Sequence, residues 1–288
     1  LPGYLTMTTT YDPVTGTEQP YPILNILSML AWGLGYFGMP HILLRFMAIE
    51  DEKKLNLSRK VATSWVIISL AVAVLIGVVG LAMTAAGELP VLEGSNSETV
   101  IVQIANLMSQ HSILLAILAG IILAGILAST MSTADSQLLA ASSSVSSDLL
   151  GDFLMKKTGK KNSMVADRVT LLLIAVIAVF LARDPNSSVF NIVSFAWAGF
   201  GAVFGPVVLF SLFWKRSNWQ GALAGMISGG AMVFIWKYLV RPMGGVLDFY
   251  ELLPAFLVSS LMIVVVSLLT KAPSQEIIDE FEHVNKEI

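Results

Sequence analysis

The sequence contains no cysteine. That excludes disulfides, a thiolate nucleophile and any thiolate metal centre. Histidine is scarce: His41, His111 and His283 stand singly, and no HExxH pattern puts two of them on one helix face. Charge is scarce as well. Asp, Glu, Lys and Arg make up 13% of the 288 residues, against roughly 25% in soluble domains. The formal net charge is −3, without the basic excess of a nucleic-acid surface, so no nucleic-acid partner is expected. No nucleophile–base pair stands out, and the chain does not read as an enzyme.

Hydrocarbon fills the space. Hydrophobic residues are 55% of the chain and the mean hydropathy is +0.76. The apolar runs are long enough for membrane-spanning helices and too continuous for barrel strands. The fold class is therefore an all-α integral membrane protein. Seven spans are expected, over about 23–48, 61–86, 112–150, 168–183, 188–214, 219–240 and 252–270. Residues 1–22, rich in Thr, Pro and Gly, read as loop. Residues 97–110 read as a short amphipathic helix, and 271–288 as a polar, acidic, frayed helix. The chain opens with Leu1 in a polar segment. It is expected to be the C-terminal part of a longer protein.

Positive charge sets the orientation. Fourteen of the seventeen Lys and Arg fall in loops 45–60, 148–168 and 215–217 and in the tail. The opposite side holds Arg183, Lys237 and Arg241, so none is expected to be buried in a span. Residues 1–22 are then extracellular and the C-terminus cytoplasmic. Arg45 is a cytoplasmic anchor in this reading, and His41 a packing residue.

Two stretches carry chemistry. The first is 120–147, which starts as hydrocarbon and turns polar without a break. Ser129, Ser132, Thr133 and Ser136 share a helical register. Hydroxyl and carbonyl oxygens suit a hard cation such as sodium. The same small residues also serve as glue between membrane helices, and both readings remain open at this point. Asp135, an acid at membrane depth, shares a face with Ser132 and Leu138. It suits a supporting hydrogen bond or an inner gate better than direct ion ligation. The second stretch is 23–48, where Gly33, Gly35, Gly38 and Pro40 interrupt an apolar run. Such a run is a candidate broken helix, tolerated at membrane depth only beside a cavity. Trp32 and Tyr36, one turn apart before Pro40, are walls of a small-solute pocket or interface aromatics. Trp197 and Phe200 are weaker cavity candidates. Gly221, Gly225 and Gly229, and Gly199, Gly201 and Gly205 before Pro206, read as faces for close helix packing.

Three segments carry a resemblance: AWGLGYFGMPHILLRFMA (31–48), LASTMSTADSQLLAASSSVSSDL (127–149) and AWAGFGAVFGPVVLFSLFWKR (196–216). Together they resemble the sodium:solute symporter family, most of all its bacterial sodium/proline branch. The resemblance implies two inverted five-helix repeats. Residues 23–214 would be the second repeat, and 215–270 two peripheral helices. It further implies a bacterial plasma-membrane location and Na+ as coupling ion, with no organic cofactor. The solute would be L-proline or a similar small molecule. Hydroxyls of Ser132 and Thr133 and the main-chain carbonyl of Ser129 would bind sodium; relatives usually have Ala at that last position, and a carbonyl ligand tolerates the change. The remaining ligands would belong to the N-terminal half of the transporter. Trp32, Tyr36 and Pro40 would shape the solute pocket and its inner gate, with Asp135, Trp197 and Phe200 in support. Other members of the family carry other small solutes, and some form sensor modules, so both alternatives stand beside proline transport.

Overall fold

The computed structural model describes residues 6–12, 15–146, 164–184 and 187–287. In chain order the elements are β1 (Thr9–Asp12), β2 (Thr17–Pro20), α1 (Ile23–Leu30), α2 (Trp32–Gly35), α3 (Pro40–Met47), α4 (Leu55–Ala85), α5 (Val100–Ser109), α6 (Ile113–Ser143), α7 (Met164–Leu181), α8 (Val189–Phe213), α9 (Trp219–Ile235), α10 (Leu252–Leu269) and α11 (Gln275–Glu287). The all-α expectation holds for the bulk of the chain. One departure lies near the start, where residues read as loop pair into an antiparallel hairpin, Thr9 opposite Pro20 and Asp12 opposite Thr17. A four-residue pairing with threonines is too short to leave a period in the sequence. The basic segment 148–163 lies outside the described residues.

Among the described residues, five helical segments are long and apolar enough to cross a membrane, and six if the bent pair Ile23–Gly38 and Pro40–Met47 counts as one. The remaining expected span falls on α7, whose start borders the undescribed segment. Lys237 and Arg241 require a correction. The fourth apolar candidate runs from Trp219 to Met243 and includes both, on its last turns rather than in a loop. A π-type turn, Trp236–Val240, carries the helix past the point where the apolar pattern ends.

The chain forms two compact units, residues 48–189 and residues 1–47 with 190–288. In the first, α4, α5, α6 and α7 lie side by side. Ser112 starts α6 by accepting the amide N–H of Leu115 at 3.3 Å, the usual way an orphan helix donor is satisfied. Ser142 Oγ donates to Asp167 O at 3.0 Å and ties α6 to α7. Glu98 accepts the amide N–H of Val189 at 3.0 Å and the hydroxyl of Ser188 at 2.5 Å. A carboxylate at the positive end of a helix is favourable, and it fixes where α8 begins. Only 6% of the apolar window of α4 and of α6 is buried. Surfaces of that kind need lipid or further helices against them.

The second unit has its core where α2, α8, α9 and α10 meet, around Ala198, Ala202, Val233, Leu252, Ala255 and Phe256. Small residues permit the approach, as the sequence suggested. A Cβ on Gly221 would run into Ser267 Oγ, and one on Gly225 into the Ile263 side chain. Pro206 cannot donate to the carbonyl of Ala202 four residues back. Gly229 packs against that same carbonyl, and a Cβ there would lie 2.5 Å from the oxygen.

Candidate functional site

The glycine-rich run 23–48 is a broken helix. α1 and α2 follow each other, a 3-10 turn covers Tyr36–Gly38, and Met39 is extended with φ −86° and ψ 113°. α3 then leaves at 53° to the preceding segment. The residue before a proline is pushed out of the helical region, so the break sits where Pro40 puts it. Gly35 and Gly38 bring this segment against α8. A Cβ on Gly35 would strike the Trp197 indole, and one on Gly38 the carbonyl of Phe200.

That approach assembles a cluster of rings. Trp32 stacks on Trp197 with centroids 5.5 Å apart, on Phe190 at 5.6 Å and on Tyr250 at 5.7 Å. Tyr36 meets Trp197 edge-on at 4.8 Å. The Trp197 indole N–H donates to the carbonyl of Trp32 at 3.0 Å, which a helix about to break leaves available. So the structure brings together Trp32, Tyr36 and Trp197. Phe200 does not join them. Its ring stacks on Phe204 and lines an apolar groove of about 280 Å³ with Phe195, Val203 and Phe234. Pro40 is exposed at the first turn of α3.

A small cavity of about 90 Å³ lies beside the ring cluster, bordered by Asn25, Ser28, Trp32, Ser194, Arg241 and Tyr250. Stacking faces and hydrogen-bonding groups therefore border one space.

The hydroxyl stripe lies in the other unit, on α6. Ser129, Ser132, Thr133, Asp135 and Ser136 are all exposed. Thr133 Oγ1 donates to Ser129 O at 3.2 Å, Ser136 Oγ to Ser132 O at 3.1 Å and Thr130 Oγ1 to Ile126 O at 2.9 Å. Each hydroxyl has turned back on the carbonyl four residues earlier, the default of Ser and Thr inside a helix. Among the described residues no group of His, Asp and Glu could hold a metal ion. Any cation here would be met by hydroxyl and carbonyl oxygen.

Sequence reasoning missed Glu251. It is 1% exposed, in a chain where buried carboxylates are costly unless paired. Lys237 Nζ lies 3.7 Å from its Oε1, and Arg241 Nη1 3.1 Å from its Oε2. Arg241 Nε also holds Asp248 Oδ1 at 2.9 Å. Next to it, Tyr250 donates its amide N–H to Ser28 Oγ at 2.8 Å and its hydroxyl to Ser194 O at 2.7 Å. Burial, and secondarily the negative charge of Glu251, raise the Tyr250 pKa well above its usual value. A signal was present: Lys237 and Arg241 are four apart, hence on one helix face, at the end of an apolar run with an acid soon after.

The chain is a polytopic helical protein with a broken span, a ring cluster beside it and a hydroxyl-bearing span. The sodium:solute symporter family model matches residues 6–229, and the chain belongs to that family. It is 42% identical to the sodium/proline symporter of Haemophilus influenzae, over 91% of this chain and 51% of the relative. To the high-affinity proline transporter PutP of Bacillus subtilis it is 42% identical, over 90% of this chain and 52% of that one. To the sodium/proline symporter of Escherichia coli it is 44% identical, over 86% and 48%. The chain thus spans about half the length of the curated relatives it matches. No solved structure matches it.

Proposed function

We propose that the protein serves sodium-coupled uptake of L-proline across a bacterial plasma membrane. The observation that carries this is the similarity to transporters named for proline, two of them also for sodium, which covers 86–91% of the chain; the family model spans both stretches singled out above. Residues 23–214 are the second five-helix repeat, 215–270 two peripheral spans and 271–288 a cytoplasmic tail, which makes seven spans. Residues 1–22 lie outside the cell.

Sodium is cargo in this scheme and sits on α6, bound by the Ser132 and Thr133 hydroxyls and the Ser129 carbonyl. The donor set fits. Two oxygens that share a hard cation at about 2.3–2.6 Å in perpendicular directions lie about 3.3–3.7 Å apart. Ser129 O and Thr133 Oγ1, 3.2 Å apart, are close to that spacing. Asp135 supports the site by its charge. Remaining ligands come from the part of the transporter that corresponds to the other half of the relatives. Trp32 and Tyr36 wall the solute pocket, Trp197 backs them, and Pro40 sets the break at the inner gate; Phe200, turned to its own groove, has no part in the pocket. Each ligand raises the other's affinity because both favour the same ordered state. Voltage alone then supplies about 2.3 kcal/mol per 100 mV for each sodium moved.

The test is uptake of labelled proline in proteoliposomes with an imposed sodium gradient. Proline accumulation that collapses when potassium replaces sodium bears the proposal out. Accumulation that is indifferent to sodium, or is competed equally by unrelated small solutes, refutes it. The second case would leave carriage of another small solute in its place.

A further inference from the structure

Trp32 is gripped by three rings, and two of them, Phe190 and Trp197, come from α8. The third, Tyr250, comes from the segment between α9 and α10. Three contacts fix Tyr250: its amide on Ser28, its hydroxyl on Ser194 O, and the stack on Trp32. These join the broken helix, α8 and the start of α10 at one residue. The next residue, Glu251, is a buried carboxylate clasped by two cations of the turns that continue α9, Lys237 and Arg241. The same stretch is held again from the other side. Trp236 Nε1 donates to Phe249 O at 3.2 Å, Arg241 binds Asp248, and Lys237 Nζ stands 4.0 Å above the Phe195 ring. So much ionic bonding on four residues is more than the start of a helix needs. One acid at that end would satisfy the helix dipole.

We propose that Glu251, clasped by Lys237 and Arg241, is a positioning residue for solute binding: it locks the 248–251 segment so that Tyr250 holds Trp32 in its place against the cavity. This rests on the reading of Trp32 as a wall of the proline pocket. Glu251 touches no solute itself. Its charge fixes the peptide that carries Tyr250, and Tyr250 fixes both the ring of Trp32 and, through Ser28, the turn before it. Without the Glu251 charge Lys237 loses this ion pair, Arg241 keeps only Asp248, and the segment is no longer held at residue 251.

The experiment measures proline KM, maximal rate and sodium half-saturation in proteoliposomes carrying the whole transporter, per molecule of folded protein. Glu251→Gln keeps the shape and removes the charge. It raises proline KM about fivefold and leaves sodium half-saturation within about twofold. Tyr250→Ala raises KM similarly. Combined with Trp32→Ala it adds nothing to the effect of Trp32→Ala alone, because the two act through one contact. Should Glu251→Gln fail to accumulate, Tyr250→Phe carries the test. It keeps the ring, loses only the bond to Ser194 O, and raises KM about twofold to threefold. If Glu251→Gln and Tyr250→Phe lower only the amount of protein or the maximal rate, Glu251 is structural and the proposal is wrong. The same holds if the Tyr250 and Trp32 effects multiply. A Trp32→Ala transporter with unaltered proline KM would instead overturn the pocket reading beneath it, and the two failures are told apart by that single variant.

Discussion

Tyr36 sets its ring edge against Trp197 while 49% of the residue stays exposed. In the proposed pocket its open side meets the solute. Tyr36→Ala is expected to raise proline KM about tenfold, or about 1.4 kcal/mol, with sodium half-saturation little changed. Ser132→Ala and Thr133→Ala are expected to do the reverse, raising sodium half-saturation about tenfold. Uptake assays at varied sodium and proline separate the two patterns. Tyr250 makes a prediction in pH. Folding raises its pKa, so its contribution to stability is complete below the ordinary tyrosine value of about 10 and is lost as pH climbs beyond it. Thermal unfolding in detergent from pH 8 to 11 should fall more steeply for the native protein than for Tyr250→Phe. At this scale the sequence was legible where residue type is unusual for its surroundings. Trp32, Tyr36 and the hydroxyl stripe stood out in hydrocarbon. Glu251 did not, because it lies in a short polar link and nothing in the chain order says that the link is buried. The ring of Phe200 looked equivalent to that of Trp197, and only the rotation of α8 separates them.

Among elements, the broken helix was the plainest to read. Three glycines and a proline within eight residues leave few helical alternatives, and the break falls at Met39, just before Pro40. Glycine spacing at 221, 225 and 229 equally foretold a close-packing face, since i, i+4, i+8 draws one stripe along a helix; that the face meets α10 is seen only in the fold. Gly225→Leu would push a branched side chain into Ile263. Overpacking of that kind costs about 1–3 kcal/mol, and it is expected to lower the melting temperature of the detergent-solubilised protein without altering sodium half-saturation. The hairpin Thr9–Asp12 and Thr17–Pro20 escaped the sequence reading. Its strands are too short for alternation to show, and turn residues dominate the segment. The π-turn at Trp236–Val240 was equally invisible, because hydrophobic periodicity marks where a helix is apolar, not where its winding changes.

For the whole molecule, the distribution of Lys and Arg predicts orientation, and contacts within the chain do not supply it. A fluorescent protein fused after Ile288 is expected to fluoresce in the cytoplasm, and alkaline phosphatase at the same place to stay inactive. The opposite pair of results would invert the arrangement and place the α9–α10 link inside. α4 and α6 present long uncovered apolar faces, so exposure within this chain says little about what their outer surfaces meet. That is also why the hydroxyl stripe on α6 could be located but its surroundings could not be inferred from sequence.

The kink at Met39 has two unequal arms. The arm before it is pressed on α8, at Gly35 against the Trp197 indole and at Gly38 against the backbone of Phe200, Gly201 and Gly205. The arm after it, Pro40–Met47, holds no buried residue. A door hung this way swings on one leaf only. In the proposed transport cycle the inner gate opens by movement of Pro40–Met47, while the rings around Trp32 keep their grip on the frame.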